Sequence, residues 1–316
     1  MNLVFMGTPD FAVPSLEALL KKGHNVAAVV TQPDRSAGRK RILKPPPIKK
    51  FAEKYDLKLL QPERIRDERL LKTLSMIKPD LIVVVAYGQI LPSNILRIPS
   101  IGCINVHASL LPKYRGAAPI QWAIIKGEKQ TGVTTMWMDE GLDTGDIFLQ
   151  KRVTIDQSWT SEDLSRELSY VGADLLIKTI ELIHSDKIIR RPQADLGSSY
   201  APLLKKADGL INWGNTTESI YNLIRGLYPW PAAYTLRHGR DIKILRAQKH
   251  EGVVNEYPPG SFAGVVKGLG FLVTTGDGVL LVEELQASGK KRTKALDYLA
   301  GHNINKGELF ADALQR

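Results

Sequence analysis

The sequence predicts an α/β fold class: a doubly wound, mostly parallel sheet in the N-terminal domain, followed by a small C-terminal β-barrel. Three observations carry this. The chain opens with an apolar run, a helical pattern and a second apolar run, Leu3 to Met6, Asp10 to Lys22 and Val26 to Thr31, which is a βαβ opening. Leu81-Ile82-Val83-Val84-Val85 is continuous and largely β-branched, as suits a central parallel strand covered on both faces. From Ala233 onward the apolar runs become short and evenly spaced, with turn residues between them. The first part is therefore expected to be Rossmann-like and the second OB-like, and 316 residues leave room for both.

In chain order, Asp10 and Pro14 suit the start of the first helix and Gly23-His24-Asn25 its end. No G-x-G-x-x-G follows the first strand, so a dinucleotide site has no support there. Gln32 to Lys50, rich in Pro, Lys and Arg, is expected to be an irregular basic loop. Ile48 to Tyr55 reads as a short helix, Lys58 to Leu60 as a short strand, and Asp67 to Lys78 as an amphipathic helix. Ile101 to Ile104 reads as the end of a buried strand. The chain then leaves through Ser109 to Pro112 and a basic turn, Lys113 to Gly116, before a helix from about Pro119. Thr131 to Met138 and Ile147 to Ile155 are strand-like and flank an acidic, glycine-rich turn, Asp139 to Asp146. Ser161 to Ser185 reads as one long helix.

These elements make residues 1–188 one domain. Residues 189–206, where Arg190-Arg191-Pro192 and Ala201-Pro202 lack periodicity, read as a linker, and 207–316 as a second domain. There, Thr216 to Leu227 is a helix stopped by Tyr228-Pro229-Trp230-Pro231. Strands are expected at Ala233 to Arg237, Ile242 to Ala247, Gly264 to Val266, Phe271 to Val273 and Gly278 to Leu285.

The composition, 43% hydrophobic and 24% charged, is that of a soluble globular protein. No apolar run approaches the ~18 residues of a membrane span, and no basic leader precedes the first strand. The one cysteine, Cys103, sits among apolar residues. It excludes an intrachain disulfide, reads as a buried inert thiol, and fits a reducing, cytoplasmic setting. The six histidines show no zinc spacing, so no metal is expected. A net charge of +10 and a pI near 9.5 favour a polyanionic partner, nucleic acid first.

Asn105 and His107 stand two apart, so on an extended strand they share a side. An amide and an imidazole below an irregular loop is a place where open α/β sheets put their chemistry. Taken alone, the pair would read as a capping amide and a core histidine. The surrounding residues change that. NVHASLLPKYRGAAPIQWAI, from Asn105 to Ile124, followed by MDEGLDTGDI, resembles the formyltetrahydrofolate-dependent formyltransferases. FMGTPDFAVPSLEAL, TQPDRSAGR, DLIVVVAYGQILP, INW, YPWPAA and KKRTKALDYLAGH extend the resemblance over nearly the whole chain, with Tyr228 departing from an expected Asn. The basic loop and the C-terminal part point to the branch of the family that acts on tRNA.

The resemblance implies transfer of a formyl group from N10 of 10-formyltetrahydrofolate, the cosubstrate, to the amino group of methionine on initiator tRNA. It implies neither a metal nor a covalent enzyme intermediate. An amine attacks the formyl carbon, an oxyanion develops and a proton must leave. The implied catalytic residues are Asn105, His107 and Asp143, and Ser109, Leu110, Leu111 and Pro112 would contact the folate. Arg39, with Lys40 and Arg41, would meet the tRNA acceptor end. Lys206, Arg237, Lys243, Arg246, Lys290, Lys291 and Arg292 are the basic candidates for tRNA contact near and within the barrel. Asn105 can donate through its amide, His107 can donate when protonated or accept when neutral, and Asp143 can hold the imidazole's tautomer. No membrane partner is expected, and the chain is expected to act as a monomer. Two competing expectations remain. One is formyl transfer to a sugar nucleotide or glycinamide ribonucleotide, which would not need the basic segments. The other is a nucleic-acid-binding module on a catalytically dead scaffold.

Overall fold

The computed structural model describes residues 1–37, 42–252 and 256–311. Its contacts divide the chain into two units. The first comprises Met1–Pro119, Gln130–Thr154 and Ser165–Pro202; the second comprises Ile120–Lys129, Ile155–Leu164 and Leu203–Arg316.

The elements up to Ala201 are, in order, β1 (Asn2–Gly7), α1 (Val13–Lys21), β2 (Asn25–Val30), β3 (Arg35–Ala37), β4 (Ile42–Lys44), α2 (Pro47–Lys54), β5 (Leu59–Leu60), α3 (Glu68–Ile77), β6 (Leu81–Val85), α4 (Ser93–Leu96), β7 (Gly102–His107), β8 (Arg115–Gly116), α5 (Pro119–Ile125), β9 (Gln130–Trp137), β10 (Ile147–Thr154), α6 (Ser161–His184) and β11 (Tyr200–Ala201). The main sheet has the order β10-β9-β7-β6-β1-β2-β5. Its five strands from β7 to β5 are parallel, and β9 and β10 join antiparallel at one edge. The expected mostly parallel sheet is thus present.

Alternation explains why both faces are apolar. Val4, Met6, Ala28, Val30, Ile82 and Val84 form one core cluster with Leu70, Leu74 and Ile95 of the covering helices. The alternate residues Leu3, Phe5, Leu81, Val83 and Val85 are fully buried as well. On β7 and β9 the cover is α6. Gly172 approaches so closely that an added Cβ would stand 2.9 Å from Val106 Cγ1, and Thr179 Oγ1 meets Thr135 Oγ1 at 2.7 Å. Val106 therefore turns toward the helix, while its neighbours Asn105 and His107 turn to the other side.

From β1 the chain runs outward to β2 and β5, then returns to β6 on the other side of β1. Such a reversal opens a crevice at the carboxyl ends of the strands. Here Thr8 Oγ1 and Gln32 Nε2 both donate to the Tyr87 carbonyl, at 2.9 and 3.3 Å, and so tie together the loops after β1, β2 and β6.

Two expectations need correcting. Gln32 to Lys50 is not irregular throughout: β3 and β4 pair antiparallel, and α2 begins at Pro47. Proline presets the helical φ and lacks only an amide that a first turn leaves unpaired, so the Pro-rich stretch starts a helix. Asp34 anchors the base of this region, accepting from Lys49 Nζ at 2.8 Å and from Gln61 Nε2 at 2.9 Å. Hydrogen bonds from Lys49 and then Gln61 hold its carboxyl below the usual carboxylate range. Second, the segment expected as a linker pairs with the first unit over much of its length. Arg191 bridges Ile147, and β11 runs parallel to β8. Such short pairings leave no hydrophobic period to read.

In the second unit follow α7 (Thr217–Leu227), β12 (Ala233–Arg237), β13 (Arg240–His250), β14 (Phe262–Val266), β15 (Gly270–Thr274), β16 (Val279–Ala287), β17 (Thr293–Lys294) and α8 (Ala295–Ala300). The sheet order is β12-β13-β16-β15-β14, with β17 on β16. Residues 309–311 bridge the outer edges through the pairs Ser261–Leu309 and Leu236–Ala311. Ile220 and Ile224 of α7, the inner face of the sheet, Tyr298 and Phe310 make one core.

Candidate active site

The site forms where β7 ends. Asn105 lies between Val84 of β6 and Met136 of β9, and His107 opposite Thr134. Asp143, on the acidic turn, reaches both. Asn105 Nδ2 donates to Asp143 Oδ1 at 3.3 Å, and Asp143 Oδ2 stands 3.6 Å from His107 Nδ1. His107 Nε2 donates to the Tyr114 carbonyl at 2.9 Å. Both ring nitrogens therefore face oxygen acceptors. The side chains of His107 and Asp143 are 6% and 16% exposed, so the pair is largely shielded from solvent.

Backbone conformation makes this convergence possible. Asp143 itself has φ +54°. Gly116 has φ +119° and donates its N–H to Asp143 Oδ2 at 2.9 Å. A Cβ there would stand 2.8 Å from the Ala201 carbonyl, so only glycine fits between β11 and the carboxylate.

The loop Ser109 to Pro112 is fastened from the two antiparallel edge strands. Thr134 Oγ1 donates to the Ser109 carbonyl at 2.7 Å and accepts from Leu111 N at 3.2 Å. Gln150 Nε2 donates to the Leu111 carbonyl at 2.8 Å. Ser109 is fully buried, its hydroxyl bonded to the Lys113 carbonyl at 2.6 Å, while Leu111 packs with Met136 and Ile147. Leu110 and Pro112 are half-buried.

Sequence reasoning missed the residues that hold this frame. Thr134 and Gln150 look like ordinary strand residues. Arg115, expected in a basic turn, is 4% exposed and donates through Nε and Nη2 to Gln193 Oε1, at 3.2 and 2.9 Å. Gln193 sits in the unpatterned segment and carried no signal at all.

Arg39, Lys40 and Arg41 lie outside the described residues. In the second unit most of the expected basic residues already have acceptors. Lys206 pairs with Asp241 at 2.7 Å, Arg237 with Glu308 at 2.7 Å and Arg246 with Glu283 at 2.9 Å. Lys243 donates to the Pro231 carbonyl at 3.2 Å, and Arg292 pairs with Glu284. Lys290 and Lys291 are exposed.

Among the described residues, no group of three His, Cys, Asp or Glu could hold a metal ion, and no helix is long and apolar enough to cross a membrane. Cys103 is 1% exposed, and burial pushes its thiol up to about 12.

A parallel-dominated open sheet, a polar cluster at the carboxyl end of a central strand and a separate antiparallel unit define a two-unit α/β protein with an enzyme-like site. The chain belongs to the formyl transferase family: residues 1–180 match the formyl transferase domain, and 203–303 match the formyl transferase C-terminal domain. It is 47% identical to a methionyl-tRNA formyltransferase of Geotalea daltonii, over 97% of both chains. It is 49% identical to one of Thermodesulfovibrio yellowstonii, again over 97% of both. In fold it is similar to the N-formyltransferase of Helicobacter canadensis solved with folinic acid and dTDP-3-aminofucose. The TM-score is 0.66 at 22% identity, covering 90% of this chain and 98% of that one.

Proposed function

We propose that the chain transfers the formyl group of 10-formyltetrahydrofolate to the α-amino group of methionyl initiator tRNA, giving N-formylmethionyl-tRNA for translation initiation. What supports this most is the 47% and 49% identity to methionyl-tRNA formyltransferases over essentially their full lengths. The amine nitrogen bonds to the formyl carbon, the bond from that carbon to N10 breaks, and the proton lost by the amine goes to the departing tetrahydrofolate nitrogen. Asn105 supplies an amide donor for the developing oxyanion. His107 carries or relays the proton, with Asp143 fixing its ring. Residues Ser109 to Pro112 border the folate, and the basic residues of the second unit hold tRNA phosphates. The reaction runs in the cytoplasm, with the chain as a monomer.

The test is formyl transfer to methionine-charged initiator tRNA, compared with free amines and with an amino-sugar nucleotide. Product should form with the tRNA alone. His107→Ala should cut kcat/KM by at least ~10²-fold, the usual scale for a lost transition-state donor. Activity within tenfold of the parent would remove His107 from the mechanism. Arg39→Ala should slow transfer to tRNA and leave binding of the formyl donor unchanged. Arg39→Lys should recover part of the loss, because an ammonium lacks the planar fork. Full activity of both variants on tRNA would overturn that role.

A further inference from the structure

We propose that Gln193 is a positioning residue for formyl transfer, setting where Asp143 stands beside His107. The proposal rests on the catalytic assignment of Asp143 made above. The Gln193 amide touches both loops that build the site. Its Nε2 donates to the carbonyl of Asp143 itself at 2.9 Å and to that of Gly145 at 2.7 Å. Its Oε1 accepts the two N–H groups of Arg115, whose next residue, Gly116, donates to the Asp143 carboxylate. One side chain thus fixes the backbone of Asp143 directly and its carboxylate through Arg115 and Gly116.

The chemistry selects an amide. Two donors and an acceptor with two lone pairs are all engaged. A carboxylate could receive Arg115 but would face two carbonyl oxygens with no proton to give. A lysine could serve the carbonyls but would meet the buried Arg115 with a like charge. Asparagine has the groups but one methylene too few.

Gln193 also has something to hold against. The φ of +54° at Asp143 is a left-handed conformation that most side-chain-bearing residues avoid and aspartate accepts, and the bonds from Gln193 help to hold it. The segment carrying Gln193 is itself pinned on both sides. Arg191 exchanges backbone bonds with Ile147 at 2.8 and 2.9 Å. Ser199 accepts Arg115 N at its carbonyl at 2.8 Å and Tyr114 N at its hydroxyl at 2.9 Å. Tyr114 in turn provides the carbonyl that receives His107 Nε2. The segment is a strap across the site, and Gln193 is the residue on it that bonds to Asp143.

The experiment compares the full-length parent with Gln193→Met, which keeps length without hydrogen bonds, and Gln193→Glu, which keeps only the acceptor. Each is also combined with Asp143→Asn. Steady-state kinetics with formyltetrahydrofolate and charged initiator tRNA should show kcat lowered roughly 10- to 100-fold in both single variants, the scale of an ångström-sized misplacement. Both KM values should stay within about threefold. Because Gln193 acts through Asp143, adding either change to Asp143→Asn should cost almost nothing more. A kcat within about twofold of the parent in Gln193→Glu and Gln193→Met, or losses that multiply with Asp143→Asn, would overturn the proposal. If Gln193→Met fails to melt cooperatively, the same cycle on Gln193→Glu decides. An Asp143→Asn enzyme at parental rate would instead sink the assignment of Asp143, and the proposal with it.

Discussion

Asp143 offers a clean probe because its backbone and its charge can be separated. Asparagine tolerates φ near +54° about as well as aspartate, and its carbonyl oxygen can still accept from Gly116. Asp143→Asn should therefore melt close to the parent while losing at least ~10²-fold in kcat/KM, since the charge facing His107 and the acceptor for Asn105 Nδ2 are both gone. Asp143→Ala should lose activity and also stability, because alanine is strained at this φ. If Asp143→Asn kept its rate, the carboxylate would serve the fold alone. Cys103 gives a second residue-scale prediction. With its thiol pushed up to about 12 by burial, it stays protonated at neutral pH and should not release a disulfide reagent's chromophore until the chain is unfolded. Rapid release from native protein would contradict the buried position. At this scale the spacing of Asn105 and His107 was readable, because a strand alternates its side chains. Asp143 was recognisable only by resemblance: Asp139, Glu140, Asp143 and Asp146 share one turn, and spacing does not say which of them turns inward. Asp139 turns instead to Thr144 Oγ1 at 2.8 Å.

Elements with a hydrophobic period are legible to within about three residues, and elements made by polar bonds are not. β6, α3 and α6 declare themselves by apolar pattern. The β3–β4 pair, the β8–β11 pair and the strap from Arg191 to Ala201 rest on backbone pairing and single side-chain contacts, which leave no period. The start of α7 shows such a polar device in measurable form. Thr216 Oγ1 accepts from Ser219 N at 3.2 Å, and Asp277, from the turn before β16, accepts from Thr217 N at 2.7 Å and Thr217 Oγ1 at 2.9 Å. The Thr217 backbone bond first, then its hydroxyl, hold the Asp277 carboxyl below its usual 3.8. A depressed carboxyl contributes stability that is complete above that usual value and is lost as pH falls through the lower folded one. Asp277 is exposed, so the contribution is screened and should stay at or below about 1 kcal/mol. Asp277→Ala should melt below the parent at pH 7, and the gap should narrow as pH drops beneath 3.8. A gap independent of pH would mean the carboxylate charge plays no part in the cap.

Across the whole molecule the governing quantity is the net charge of +10 and how much of it is free to meet phosphate. Composition predicted a polyanionic partner but could not tell which cations are already committed. In the second unit Lys206, Arg237, Arg246 and Arg292 each hold a carboxylate, and Lys243 holds a carbonyl. Such a residue must give up a partner before it can take a phosphate. Arg237 is the extreme case: it is bonded to Glu308 and to the Asn303 carbonyl at 2.9 Å, fastening the segment that bridges the sheet edges. Lys290 and Lys291 are exposed on the turn between β16 and β17, with no carboxylate partner among the described residues. Under the proposed function they should supply phosphate contacts at least cost. Each lost contact flattens the dependence of log K on log salt by roughly 0.7–0.9. The Lys290→Ala, Lys291→Ala double variant should therefore weaken tRNA binding most at low salt and reduce the slope by roughly 1.5, with an unchanged melting temperature. Arg237→Ala should do the reverse, lowering the melting temperature of the chain while leaving the slope near that of the parent. Binding titrations of initiator tRNA over a salt series, beside thermal melts of the three proteins, test both halves at once. An unaltered slope in the double variant would assign the phosphate contacts to the paired cations instead.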